Sequence, residues 1–338
     1  MMRLENCNGI VAEFSPIGAS LQRFLVPDSG GKLTNIILSP ADPLEPRSKN
    51  AYAGAILGPI AGRVKSGKIA ANGVFSQLDL NDGPNHLHGG SHCLSDIEWK
   101  CIQSDQQCVS FFTSQPNGLG GYPGNRTFEV KYILGNDNAL SIFMRAASDE
   151  ETWFNLSTHI YWNLSGNLTD TILDHLLQIP SSEVVFNCSD HTTDRLVSSA
   201  GSIFDLRVAK PISYIMKKAA HEQIRFGRGL NHLFILEQSC GAQEDASHIS
   251  LEHPLSGRQL LVSTSLPCQW VYTGGYLGPN LQLLDGKVGK PNLAIAFEPQ
   301  LGHCNNAMGK MHIQLAPQKQ FSAWIKFSFL QPGLFISN

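Results

Sequence analysis

Phe154-Asn155-Leu156-Ser157-Thr158-His159-Ile160-Tyr161-Trp162-Asn163-Leu164-Ser165-Gly166 mixes aromatic and β-branched residues in a rough apolar–polar alternation and stops at Ser-Gly. That pattern predicts a β-strand. Successive strand side chains point to opposite faces, so Ser157, His159 and Tyr161 share one face. Together they offer a hydroxyl, a phenol and an imidazole: donors, acceptors and one group that titrates near neutral pH. Leu156, Ile160 and Trp162 are among the residues expected to anchor the other side. Taken alone, the stretch is better explained as a core strand with a simply hydrogen-bonded histidine. The polar groupings elsewhere in the chain shift that balance.

Outward from this stretch, 31 glycines and 18 prolines are spread along 338 residues, which suits many short strands joined by turns. Phe128-Glu129-Val130-Lys131-Tyr132-Ile133 alternates cleanly, and Leu140-Ser141-Ile142-Phe143-Met144 follows across Gly135-Asn136-Asp137-Asn138, a hairpin signal. Further strands are expected over 259–264, 269–273 and 294–297, and in a last strand with Phe321, Ala323, Ile325, Phe327 and Phe329 on one face. Only Ile212 to Arg225 has a helical pattern, opened by Pro211 near the first-turn position where proline is tolerated. No linker, repeat or composition break divides the chain. The economical expectation is one all-β domain over residues 1–338, built of packed antiparallel sheets.

With 42% hydrophobic and 16% charged residues, the chain has the means to bury a sizeable core. A formal net charge of −3 and the lack of any Lys/Arg run give no electrostatic case for nucleic acid or an anionic membrane. The first residues, Met1-Met2-Arg3-Leu4-Glu5-Asn6, lack the apolar core of a signal peptide, and no apolar run approaches a membrane span. A cytoplasmic protein is expected. The eight cysteines form no C-x-x-C pair, so buried free thiols are expected. The Asn-x-Ser/Thr triplets at Asn125 and Asn155 then carry no meaning for glycosylation.

Several polar groupings stand out. Arg63 lies between small residues in Gly58-Pro59-Ile60-Ala61-Gly62-Arg63-Val64; it is either a structural arginine or a fixed fork of donors. Pro84-Asn85-His86-Leu87-His88-Gly89-Gly90-Ser91-His92 invites a metal reading. However, it contains no acidic residue, and no cysteine pair completes a tetrahedral set. Alternation places His86 and His88 on one face, and the Gly-Gly turn permits close approach of a ligand to the backbone. A hydrogen-bonding histidine in a polar cleft is the favoured reading there, with no metal. Gly118-Leu119-Gly120-Gly121-Tyr122-Pro123-Gly124 has a proline where a nucleotide loop needs its third glycine, so a tight turn is expected. No G-x-S-x-G elbow supports a serine hydrolase. Asn231 beside His232, Gln269 opening a strand, and Glu298 closing one before Pro299 complete the set. A carboxylate at the end of a buried strand is costly unless paired or used.

Taken together, these pieces resemble the aldose 1-epimerase (galactose mutarotase) family. The resemblance runs from about Gly58 to Phe327 through Ala61-Gly62-Arg63-Val64, Asn85-His86-Leu87-His88-Gly89-Gly90, Gly121-Tyr122-Pro123-Gly124 and Thr158-His159-Ile160-Tyr161-Trp162-Asn163-Leu164. It continues, in the family's order, through Phe204-Asp205-Leu206-Arg207, Tyr272-Thr273-Gly274 and Phe297-Glu298-Pro299-Gln300. It implies a large antiparallel β-sandwich of the galactose mutarotase-like supersandwich type, with a sugar held in a cleft on one sheet. It also implies that His159 is the general acid and Glu298 the general base. Arg63, His88 and Gln269 would hold sugar hydroxyls, and Tyr161 and Asn231 join them as substrate-binding candidates. Two positions depart from the family pattern. Asn231 stands where an aspartate is usual, and Gly62 where an asparagine is common, so the hydrogen-bond pattern on the substrate is expected to differ.

The implied reaction interconverts α and β anomers of free hexoses without a cofactor. It needs a base for the anomeric hydroxyl and an acid for the ring oxygen, so the pair is expected to start as ionised Glu298 and protonated His159. Trp162, Trp270 and Tyr161 are candidates for the aromatic faces of a sugar site. A glycoside hydrolase normally uses two carboxylates, and only one is offered here. A phosphorylated-sugar epimerase should show more basic residues than Arg63. A non-catalytic sugar-binding protein has no need of an acid and a base together. The expected partner is a small monosaccharide, with the chain as a monomer or homodimer.

Overall fold

The computed structural model describes the chain except residues 29, 72–73, 238–247, 303–313, 318 and 331–338, together with the side chains of 71, 74 and 314. Among the described residues the architecture is that of packed antiparallel sheets. The largest has nine strands, and its middle is formed by Arg126–Leu134, Ala139–Ser148, Gln320–Leu330 and Arg258–Thr264 in that order. The expected hairpin is present: Leu134 pairs with Leu140, and Asn138 takes a positive φ of 61° in the connecting turn. Alternation in the last strand buries Phe321, Ala323, Ile325, Phe327 and Phe329. Each large apolar side chain removed from water in this way contributes roughly 1.5–3 kcal/mol.

A six-stranded sheet faces it, ordered Tyr161–Trp162, Ile295–Gln300, Cys268–Tyr272, Asn231–Ile235, Glu183–Asn187 and Thr193–Ser198. Phe234, Val271, Ile295 and Phe297 on its inner face join Phe327 and Phe329 in one core. The outer face carries Leu233, Trp270, Tyr272, Tyr161 and Ala296, which pack with Leu38 and Ala53 in a second apolar cluster. A four-stranded sheet, Met2–Glu5 to Leu33–Asn35, packs Phe14, Leu21 and Phe24 onto the main core. Among the described residues, no helix is long and apolar enough to cross a membrane.

Three local expectations need correction. The 154–166 stretch is not one continuous strand. Ser157–Thr158 pairs with Ile56–Leu57, then Tyr161–Trp162 pairs with Ile295 and Ala296, so the chain changes partners around Ile160. The helix over 212–225 is two short helices, Ile212–Met216 and Glu222–Gly227. Lys217 to His221 has no buried side chain to hold a continuous helix against the core, and His221 caps the second helix by accepting from Gln223 N–H. Glu298 does not close its strand, which continues through Pro299 to Gln300. The neighbouring Tyr161–Trp162 strand reaches only Ile295 and Ala296, so a residue without an N–H is tolerated farther along. Of the cysteines, Cys93, Cys108 and Cys268 are buried, but Cys7 and Cys101 are exposed because they sit in a surface turn and a solvated edge strand. Cys240 and Cys304 lie outside the described residues.

Candidate active site

Glu298 stands on the outer face of the six-stranded sheet, directly opposite Trp270 in register. His159 is held at the crossing between its two strand segments by backbone hydrogen bonds. Its N–H donates to Ala55 O at 2.8 Å, and its carbonyl accepts from Gly54 N at 3.0 Å. Those two constraints bring His159 Nε2 to 3.4 Å from Glu298 Oε1. Both residues are nearly sealed, with 4% and 2% of their surface exposed. The imidazole lies among aromatic rings, 4.6 Å from Tyr161, 6.2 Å from Tyr52 and 6.4 Å from Tyr272 between centroids.

Burial acts on this pair in one direction. Desolvation pushes Glu298 up to about 8, against the opposing pull of the Arg63 charge, and pushes His159 down to about 3. Burial therefore favours a neutral carboxyl beside a neutral imidazole over the expected ionised Glu298 with protonated His159. The two arrangements contain the same single proton and differ only in which side of the 3.4 Å contact it occupies.

His88 joins the cluster with its ring 5.6 Å from His159 and 4.8 Å from Tyr52. Its Nδ1 accepts from Gly62 N–H at 3.1 Å, which places the ring proton on Nε2. His88, His159 and Glu298 each offer a metal-ligand atom within 4.8 Å of the others. Ligation through His88 Nε2 would force the proton onto Nδ1, against the Gly62 N–H, so the ring is set to donate a hydrogen bond instead. Arg63 donates from Nε to Asp82 Oδ2 at 2.6 Å, with its side chain 16% exposed, and this holds the guanidinium near enough to act on Glu298.

His86 and His88 do not share a face. The backbone turns to positive φ at His88, ending the short strand, and His86 points instead to Asp79 O and Tyr122 Oη at 2.8 and 2.7 Å. His92 is exposed on the following turn. The glycine turn does admit a close backbone approach, but to Gly58, whose carbonyl would lie 1.9 Å from a Cβ on Gly89. A second possible metal group, Asp174, His175 and His253, is already spent on hydrogen bonds. His175 Nε2 accepts from Leu164 N and His253 Nδ1 from Ser256 N, leaving each ring with an N–H facing Asp174.

Tyr161 lies beside His159, as the alternation implied. Asn231 lies opposite Tyr272 on the same sheet face. Gln269 is not brought to the site. It is one residue out of phase with Trp270, so its side chain shares the inner face with Val271, where its amide donates to Trp270 O at 2.8 Å. Trp162 is likewise turned inward, against Phe24, Phe327 and Phe329. Sequence reading missed Tyr52, which sits at a positive φ of 60° in a turn with no motif of its own. It also missed Tyr272, although the Tyr-Thr-Gly motif marked its strand end, and Asp82, the partner of Arg63.

A family model described as aldose 1-epimerase matches residues 1–328. The aldose 1-epimerase of Escherichia coli (strain K12) is 31% identical over 280 residues, spanning 82% of this chain and 79% of that protein. The galactose mutarotase of Sus scrofa is 30% identical over 321 residues, spanning 92% and 89%. Among solved structures, an aldose epimerase homologue from C. elegans superposes with a TM-score of 0.88 at 25% identity, covering 98% of each chain. A galactose 1-epimerase from Lactobacillus acidophilus NCFM gives 0.81 at 29% identity, covering 97% of this chain and 93% of that one.

Proposed function

The chain belongs to the aldose 1-epimerase family, and from that premise we propose that it interconverts the α and β anomers of free hexoses through Glu298 and His159. Carbohydrate epimerase activity follows from the family; the choice of free hexoses and the roles of individual residues are the proposal. The observation that carries it is the 3.4 Å contact between one buried carboxyl and one buried imidazole, with a donor histidine and an arginine alongside.

Glu298 takes the proton of the anomeric hydroxyl while His159 delivers one to the ring oxygen. The bond between the anomeric carbon and the ring oxygen breaks, and the open chain carries an aldehyde. Rotation about the adjacent carbon–carbon bond exposes the other carbonyl face, and the same transfers run backwards to close the ring. The reactive charge state is reached by moving the shared proton from Glu298 to His159, with no net uptake from water. A bound sugar assists this shift, because its hydroxyls hydrogen-bond the carboxylate that burial otherwise disfavours. His88 Nε2–H and the Arg63 guanidinium donate to the remaining sugar oxygens and hold the ring in place.

Polarimetry of freshly dissolved α-glucose, α-galactose and a pentose, each with and without the protein, tests this reading. Accelerated decay of rotation toward the equilibrium value is expected for the hexoses. Decay curves that coincide with the uncatalysed ones for both hexoses would overturn it, whatever the pentose does.

A further inference from the structure

Beside the catalytic pair, one hydrogen bond fixes the polarity of the sheet face. The indole Nε1 of Trp270 lies 2.6 Å from Asn231 Oδ1. An indole nitrogen only donates, so the asparagine atom facing it must be the carbonyl oxygen, and this settles which way the amide points. The backbone of Asn231 is also fixed: its N–H donates to His232 Nδ1 at 3.0 Å, and its carbonyl accepts from Asn187 Nδ2 at 2.7 Å. What remains is the Asn231 NH₂ group, which makes no hydrogen bond to any described residue, on a side chain with 7% of its surface exposed. In register, Trp270 lies opposite Glu298 and Asn231 opposite Tyr272, so the pair stands on the face that carries the carboxyl.

We propose that Trp270 is a positioning residue that sets sugar selectivity by holding Asn231 as a hydrogen-bond donor. The substituent that meets Asn231 must then present an acceptor. A hydroxyl binds there through its lone pair with its proton turned elsewhere, and a substituent that accepts without donating is also admitted. A carboxylate at this position would impose the reverse rule, taking the hydroxyl's proton and repelling acceptor-only groups. The substrate class is therefore aldoses whose group at this one ring position is read as an acceptor. This rests on the mutarotase reading only for the location of the sugar.

The experiment compares deoxy and deoxyfluoro analogues of the best hexose at each ring position, because fluorine accepts weakly and never donates. Anomer exchange is measured by magnetisation-exchange NMR, and binding of the same analogues by ligand-observed NMR. At one position the wild-type protein should lose about tenfold or more with the deoxy sugar, the equivalent of one hydrogen bond, and measurably less with the fluoro sugar. Asn231→Asp should invert that order, and Trp270→Phe, which frees the amide to turn, should abolish the difference. If Trp270→Phe does not fold, Asn231→Asp and the wild-type ranking still decide the matter. Fluoro sugars no better than deoxy sugars at every position, or a wild-type ranking retained in both variants, would overturn the proposal. Absence of anomer exchange with intact wild-type binding ranks would instead sink the mutarotase reading and leave this one standing.

Discussion

Replacing Glu298 by glutamine should make the protein inactive and more stable at once. In the folded chain, burial raises the carboxyl from the ordinary 4.5 to about 8. Between those two values the folded protein keeps a proton that the unfolded chain has released. Stability of the wild type therefore falls as pH rises through this window and levels off above about 8. The gap corresponds to a ceiling on the order of 5 kcal/mol, at ~1.36 kcal/mol per tenfold change in proton affinity. Glutamine keeps the shape and is neutral throughout, so it escapes this loss. Melting curves of both proteins should nearly coincide at pH 4.5 and separate steadily toward pH 8.5. Even about 2 kcal/mol would raise Tm by roughly 4 °C. Over the same series, polarimetry should show kcat falling on the order of 10²–10⁴-fold, since the amide accepts no proton. A variant less stable than wild type at pH 8.5, or a gap that ignores pH, would refute the argument that Glu298 is a costly buried carboxyl. Near wild-type turnover would refute its role as the base.

Other expectations follow from the same geometry. The pair works with one proton, so kcat/KM should fall on the alkaline side as that proton leaves with an apparent value near 8, and on the acid side as a second proton binds toward 3; stopped-flow polarimetry across pH reads both limbs. His159→Asn should fold and bind sugar yet lose most turnover, and the double variant with Glu298→Gln should be little worse than the worse single if the two act as one relay. His88→Ala and Arg63→Ala should weaken binding and turnover together, and Asp82→Asn should reproduce part of the Arg63 effect by loosening its 2.6 Å anchor; binding calorimetry and initial rates check all three. Because His88 is set as a donor, treatment with a chelator should leave the rate unchanged, and zinc-dependent recovery after chelation would restore the metal reading of this cluster.

The sequence by itself determined the all-β class and several of its strands, because strand alternation is local. Phe321 to Phe329 and the hairpin around Asn138 follow from a period of two and from turn chemistry, and neither depends on distant residues. It also singled out His159, Glu298, Arg63 and His88 as site candidates, since residue type and motif order are sequence properties. What it did not contain was phase and partner. Gln269 and Trp270 are adjacent, and only the register against Glu298 shows that the tryptophan faces the carboxyl while the glutamine faces the core. His86 and His88 follow strand alternation on paper, yet one positive φ sends them to different neighbours. The proton's place is likewise a tertiary matter. The apolar run before Glu298 hints that its carboxyl is costly, but His159 carries no such local sign, and both altered affinities arise because strands distant in sequence exclude water. Tyr52 and the Trp270–Asn231 contact are products of packing between segments far apart in the chain, and packing alone decided them.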